Sequence, residues 1–390
     1  MLTAEKPLVR PSAPATSTHR DALRRRLLLL ALAGVLLAVV ALSSGIGAVR
    51  ISGTELWRIL LDALGLGEGG FEEQQRTVLT VIRLPRVLLG VLIGAALGMA
   101  GAAMQGLFRN PLADPGLIGV SSGASLAAVL MIVLGINTLG QSDLTGIAGA
   151  GSVANSEPTG GLLRQFMGLT GYYALSLAAF AGACLTTLLV YQLSKVGGKA
   201  VVATMLLAGI AINALAGALT GFIISLATDA QLRSITFWGL GSLGGASWEA
   251  VLTVAPLLAV PLLLLPRLSK ALNAFTLGET EAAYLGMNVR AVKRAVVVLT
   301  TLAVGVSVSV SGTIGFIGLV IPHILRLLAG ADHRFILPGS ALLGAAVLTA
   351  ADLLSRTVVA PAELPIGIIT ALLGTPVFLS ILLNEKGRRV

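Results

Sequence analysis

The chain has 390 residues, of which 55% are hydrophobic and only 12% charged, with 47 glycines and a net charge of +9. Soluble domains carry about 25% charged residues, so this composition excludes an ordinary water-soluble fold. Aromatic residues make up 4%, and no basic cluster is interleaved with them, which excludes a nucleic-acid-binding protein. The positive excess reads instead as a topology signal. Glycine enrichment fits helices that associate in lipid by close backbone approach. The one cysteine, Cys184, lies in an apolar run and has no intrachain partner.

Residues 1–26 are polar, rich in Pro, Ser and Thr, and end in Arg24-Arg25-Arg26. They read as a disordered cytoplasmic tail, because a cleaved signal peptide has a shorter charged region and a shorter apolar core than the run that follows. Apolar windows bounded by charges and Pro/Gly breaks then predict ten membrane-spanning helices. They fall at about 27–48, 86–107, 114–135, 171–193, 200–226, 248–266, 292–312, 314–330, 336–355 and 365–383. Residues 27–383 are thus one transmembrane domain, followed by a cytoplasmic tail at 384–390. With Arg24 to Arg26 inside, an even number of spans also returns Lys386, Arg388 and Arg389 inside. The larger share of Lys and Arg then falls on inner segments, including Lys195, Lys199, Arg267, Lys270, Arg290, Lys293 and Arg294. The expected fold is an all-α polytopic membrane protein with both termini cytoplasmic.

Three segments between spans carry information. The outer stretch 136–170, rich in Gly, Ser and Thr, is long for an inter-helix loop and reads as a lid or as mobile padding. Residues 228–248 contain a helical core, Gln231 to Leu240, with Arg233 and Trp238. The inner segment 267–294 is the only long cytoplasmic loop and contains Leu277-Gly278-Glu279-Thr280-Glu281-Ala282-Ala283-Tyr284-Leu285-Gly286. A short acidic amphipathic helix in an otherwise basic inner face reads as a docking surface or as a solvated connector.

No catalytic constellation emerges. His19, His323 and His333 have no metal-ligand spacing with one another or with Cys or carboxylates. The phosphate-binding pattern G-x-x-x-x-G-K-[ST] is absent, so ATP-driven transport would need a separate motor subunit. Arg326 and Asp352 lie near the ends of their apolar runs, where snorkelling accounts for them. Without a midplane carboxylate, an ion-coupled secondary carrier is disfavoured. Glycines recur every four residues at Gly90, Gly94 and Gly98, a packing seam, and at Gly209, Gly217 and Gly221, where Asn213 shares the face. For this second seam both packing and a pore-lining role stand.

Several blocks taken together carry a resemblance. They are Arg83-Leu-Pro-Arg86, Gly106-Leu-Phe-Arg-Asn-Pro-Leu-Ala-Asp-Pro-Gly116, Phe237-Trp-x-Leu-Gly-Ser-Leu243, Leu277-Gly-x3-Ala-x2-Leu-Gly286, Gly315-Phe-Ile-Gly-Leu-Val-Ile-Pro-His323, Pro361-x-Glu-Leu-Pro-Ile-Gly367 and Gly374-x-Pro376. In order, over about residues 50–383, they closely resemble the iron-siderophore, haem and cobalamin permease family, the membrane subunits of type II ABC importers. The resemblance implies ten helices per subunit and a homodimer with the pathway at the subunit interface. It also implies two ATPase subunits below and a periplasmic binding protein above, in the bacterial inner membrane. This chain would bind no cofactor, and ATP and Mg would belong to the ATPase partner.

The resemblance also implies residue roles. Arg83, Arg86 and Arg356 correspond to rim arginines that receive acidic side chains of the binding protein. Leu277, Gly278, Glu279, Glu281, Ala282, Leu285 and Gly286 correspond to a coupling helix seated on the ATPase. Asn213, Gly217, Gly221, Arg233, Ile368 and Ala371 correspond to the translocation pathway. Asp229-Ala-Gln-Leu-Arg233 before Phe237-Trp238 looks closest to the haem branch; a weakly polar passage with one arginine suits an apolar porphyrin bearing propionates. Haem is therefore the expected cargo, with a ferric siderophore or cobalamin as the alternative. The long N-terminal tail and the 136–170 stretch exceed the family's common pattern.

Overall fold

The computed structural model describes residues 17–63, 70–135 and 162–387. The expected tail up to residue 16, most of the outer 136–170 stretch and residues 388–390 lie outside the described residues. The described residues are helical almost throughout. In order come α1 (Ser17–Gly45), α2 (Gly53–Ala63) and α3 (Glu73–Thr77), which runs through a π-helical turn (Val78–Arg83) into α4 (Leu84–Phe108). After a 3-10 turn (Pro115–Ile118) follow α5 (Val120–Leu130), α6 (Leu162–Leu193), α7 (Val202–Ile224), α8 (Asp229–Leu240) and α9 (Trp248–Leu264). Then come α10 (Ser269–Leu277), α11 (Glu279–Tyr284), α12 (Val289–Ser311), α13 (Ile317–Ala329), α14 (His333–Ser355) and α15 (Ile366–Gly387). A two-strand ribbon, β1 (Lys195–Val196) against β2 (Lys199–Ala200), links α6 to α7.

Among the described residues, seven helical stretches are long and apolar enough to cross a membrane, and α5, α13 and α15 are shorter apolar helices. Each predicted window falls on one of these. The first starts earlier than expected: α1 begins at Ser17, so Arg24 and Arg25 sit on a helix and not in a tail. Both have partners, with the Arg24 guanidinium donating to Leu328 O at 2.9 Å and that of Arg25 to Asp332 Oδ2 at 2.5 Å.

The centre of the bundle is α4, whose most apolar stretch is 83% buried, against 17% for α7. Lipid offers no hydrophobic drive between helices, so close packing must hold them together. On α4 the glycines supply it. A Cβ on Gly94 would lie 2.9 Å from Ala345 Cα, and one on Gly98 would lie 3.1 Å from Ser340 C, with carbonyl oxygens of α14 closer still. A Cβ on Gly101 would stand 2.5 Å from Gly318 Cα of α13. The seam at residues 90–98 is therefore a packing surface, as expected. On the far side, Gly123 of α5 meets Gly182 of α6, and Thr186 Oγ1 donates to Gly119 O at 2.8 Å. Apolar residues from α4, α5, α6, α9, α12, α13 and α14 then form one continuous core.

Candidate functional site

At one end of α4 the three arginines expected to receive a docking partner come together, but not as a free rim. Arg86 Nε donates to Asp352 Oδ1 at 2.8 Å, and its Nη1 to Glu363 Oε1 at 2.8 Å. Arg356 lies one helical turn from Asp352, with Nε 3.5 Å from Oδ2, and its Nη2 donates to Ser43 Oγ at 2.5 Å. Arg83 donates to Ser44 O at 2.8 Å, to Gly45 O at 2.9 Å and to Val49 O, so it staples the α1–α2 connection onto the α4 entry. All three side chains are buried. Burial follows because the α1–α2 connection and residues 356–365 fold over them, with Ser355 Oγ bonded to Leu364 O. Asp352 does not snorkel, as its end position suggested, but is 1% exposed and paired. The accessible charged member is Glu363, 46% exposed. Arg326 likewise turns inward, to Gln105 Oε1, while Gln105 Nε2 donates to Leu319 O at 3.0 Å.

The opposite end carries the acidic segment. Helices α10 and α11 meet in a corner at Gly278, whose φ of 136° and ψ of 155° suit glycine. Gly278 itself stands at the N-cap of α11. Leu272, Phe275 and Ala282 are buried beneath the corner, while Leu277, Leu285 and Tyr284, the last 87% exposed, project from it. Glu279 pairs with Lys293 Nζ at 2.6 Å, and that ammonium also donates to Ala200 O at 2.8 Å, tying the corner to α12 and the ribbon. Glu281 is exposed, and Gly286, with φ of 80°, turns the chain into α12. Only Ala282 and Gly278 of the expected contact set are buried; Leu277, Glu281, Leu285 and Gly286 are exposed, and Glu279 is engaged internally.

A second network anchors this corner. Asp332 caps α14, accepting from Arg334 N at 3.0 Å, and also faces Arg25 and Asn273. Partial burial raises its carboxyl pKa, but the hydrogen bonds from Arg334 and Asn273 and the charges of Arg25 and Arg334 outweigh it, holding the carboxyl below its ordinary value.

The expected pathway residues divide. Gly209 packs on the 3-10 turn at Leu117. Asn213 is placed with it, not on an open face: its Nδ2 donates to Gly116 O at 3.1 Å and its Oδ1 accepts from Ser122 Oγ at 2.5 Å. The neighbouring turn reaches only part of the way along α7, and beyond it a Cβ on Gly217 or Gly221 would meet nothing within 4 Å. Next to them α8 is capped by Thr228 and Gln231, and Gln231 Nε2 donates to Val133 O at 3.2 Å. Arg233 and Phe237 are exposed on α8. Its end is knotted to α15, where Ile366 N donates to Gly241 O at 3.0 Å, Gly367 abuts Leu240 and Gly374 abuts Phe316. Ile368 and Ala371 are half-buried on α15. The open face is thus α7 beyond Gly217, the exposed side of α8 and the start of α15. Among the described residues no group of His, Cys, Asp and Glu is arranged to hold a metal ion.

Two features escaped sequence reasoning: the Arg86–Asp352 pair and the Asn273 amide. Two unlike charges in separate apolar runs were the only signal for the first, and the second had none.

Known proteins with the same architecture identify the frame. Over 357 residues the chain is 42% identical to the hemin transport system permease protein HmuU of Yersinia pestis, covering 91% of this chain and 95% of that one. It is 40% identical over 348 residues to the uncharacterized ABC transporter permease protein YvrB of Bacillus subtilis (strain 168), covering 89% and 90%. With the vitamin B12 import system permease protein BtuC of Salmonella paratyphi A it shares 41% over 304 residues, covering 78% and 83%. A metal-chelate type ABC transporter solved in an inward-facing conformation superposes with a TM-score of 0.73 at 29% identity, covering 91% of this chain and 98% of that one. Residues 35–384 match the FecCD transport family, and the chain belongs to that family as the membrane-spanning permease subunit of an ABC importer.

Proposed function

We propose that this permease carries haem from a periplasmic binding protein across the bacterial inner membrane, as a homodimer driven by two ATPase subunits. In this reading all ten apolar helices cross, the three shorter ones with help from neighbours that cover their ends. Both termini lie in the cytoplasm, with the α10–α11 corner on the ATPase side and the Arg86–Asp352 cluster on the periplasmic side. ATP and Mg²⁺ belong to the ATPase subunits, and this chain supplies no catalytic group.

The observation that carries the cargo is the 42% identity to a hemin permease over 91% of the chain. The open face agrees with it. Glycines without neighbours leave room for a flat macrocycle, and exposed Arg233 is a bidentate partner for a propionate. The 41% identity to a vitamin B12 permease keeps cobalamin as a second reading, and a ferric siderophore as a third. At the outer end Arg83, Arg86 and Arg356 act mainly by holding the docking face in shape, with Glu363 at its edge. At the inner end Leu277, Tyr284 and Leu285 are the contacts offered to the ATPase.

Uptake into proteoliposomes containing the permease, its ATPase and its binding protein, with ATP inside, tests the assignment. Haem accumulating in preference to cobalamin and a ferric siderophore supports it; preference for either of the others replaces the cargo.

A further inference from the structure

The α10–α11 corner has to pass force to the rest of the permease, and its attachments differ in kind. Its apolar underside, Leu272, Phe275 and Ala282, can slide on its neighbours, because dispersion contacts have no direction. The Glu279–Lys293 pair, buried on its lysine side, ties the corner to α12 and to the ribbon at Ala200, not to α14. Asn273 on α10 is different. Its Nδ2 donates to Asp332 Oδ1 at 2.7 Å, while its Oδ1 accepts from His333 N at 2.9 Å and lies 2.8 Å from His333 Nδ1. A carbonyl oxygen only accepts, so Nδ1 of the histidine must carry the proton. Nε2 of the same ring is buried without a hydrogen bond and faces Gly106 of α4, where a Cβ would stand 2.5 Å away. One amide therefore fixes both the helix cap and the ring that touches α4.

These partners stand at the start of α14, which is locked against α4. From His333 to Ser355, α14 has 23 residues, about 34 Å of helix. It lies against α4 with the Gly94, Gly98, Ser340 and Gly344 backbones in contact, so axial sliding drives carbonyls into Cα atoms. At its far end Asp352 is bonded to Arg86. The α4–α14 pair thus spans from the Asn273 junction at one end to the buried arginine cluster at the other.

We infer that Asn273 is a positioning residue for transport: its side-chain amide makes the α10–α11 corner and the α4–α14 pair one mechanical unit, so displacement of the corner reaches the docking face. The inference rests on the reading that the ATPase engages this corner. Without Asn273 the corner would still be present and still bind, but would move over its apolar underside without carrying α14.

The test uses the full importer in proteoliposomes and reads cargo transported per ATP hydrolysed, together with recovery of the permease–ATPase complex. For Asn273→Ala the expected result is an intact complex whose transport per ATP falls about five- to tenfold. Asn273→Asp sets a carboxylate against Asp332 and should uncouple similarly. Thermal stability of the purified Asn273→Ala permease, expected to stay close to that of wild type, separates uncoupling from a general folding defect. An unchanged ratio in Asn273→Ala, or a fall in the ratio matched by loss of stability and of complex recovery, overturns the inference. Tyr284→Asp separates the two levels. If the ATPase still assembles on that variant with undiminished affinity, the corner reading falls and this inference with it. If assembly is lost while Asn273→Ala stays fully coupled, only the inference falls.

Discussion

Replacing Asp352 by Leu removes the one fully buried carboxylate of the arginine cluster. Arg86 and Arg356 pair with Asp352 and Glu363, while Arg83 beside them is bonded only to carbonyls, so three positive groups stand with two negative ones and the substitution widens that excess. Glu363 is half-exposed, and its pair contributes at most about 1 kcal/mol, so it cannot substitute. Breaking a buried pair by removing one partner costs about 3–5 kcal/mol, whereas replacing both by apolar groups is often neutral. Asp352→Leu should therefore destabilise the permease by about 3–5 kcal/mol. Adding Arg86→Met should return about 2 kcal/mol or more of that loss. Reversible unfolding in mixed micelles of wild type, both single variants and the double variant closes the cycle. Additive losses would refute the reasoning, because they would mean that Arg86 and Asp352 do not depend on each other for charge balance.

At the helix contacts, Gly98→Ala should destabilise the fold by about 1–3 kcal/mol, since its methyl collides with backbone at Ser340. Gly217→Ala, with nothing within 4 Å, should leave thermal stability unchanged or slightly raised; heat-induced loss of the monodisperse peak in detergent compares the two. Tyr284→Asp should weaken ATPase binding about thirtyfold, the loss of a roughly 2 kcal/mol aromatic anchor, measured by titration of the purified subunits. Asp332 has a depressed folded pKa, so its stabilisation is present above the unfolded value of about 3.9 and is lost as pH falls through the lower folded value. Acid unfolding followed by tryptophan fluorescence should show this component in wild type and not in Asp332→Asn. Arg233→Ala should lower haem uptake while complex assembly stays intact, and equal uptake would remove Arg233 from the pathway.

Much of this architecture was legible because a membrane helix announces itself by length and apolarity alone. The Gly94 and Gly98 spacing marked a close contact, and the acidic Leu277 to Gly286 segment marked a structured corner. What failed was partner choice over distance. Arg86 and Asp352 each sit near the end of an apolar run, and each alone is satisfied by snorkelling; only the fold brings them to 2.8 Å. Asn213 shares a four-residue spacing with Gly217, but spacing does not say how far a neighbouring turn extends along the helix. In the sequence Arg24 and Arg25 look like tail charges, because the partners that place them on α1, Leu328 and Asp332, lie some 300 positions away. Asn273 carried no signal, since an isolated amide on a short helix has no period.

The pairing of α4 with α14 also bears on biogenesis. Between Arg86 and Asp352 lie 266 positions, roughly 13–50 s of translation at about 5–20 residues per second. For that interval the nascent chain holds a guanidinium without its counter-ion and a strip of bare glycine backbone facing lipid or the insertion machinery. Arg86 stands in the first turn of α4, so its long side chain can keep the charge at the interface, but the glycine strip stays without its packing partner until the α14 segment has been made.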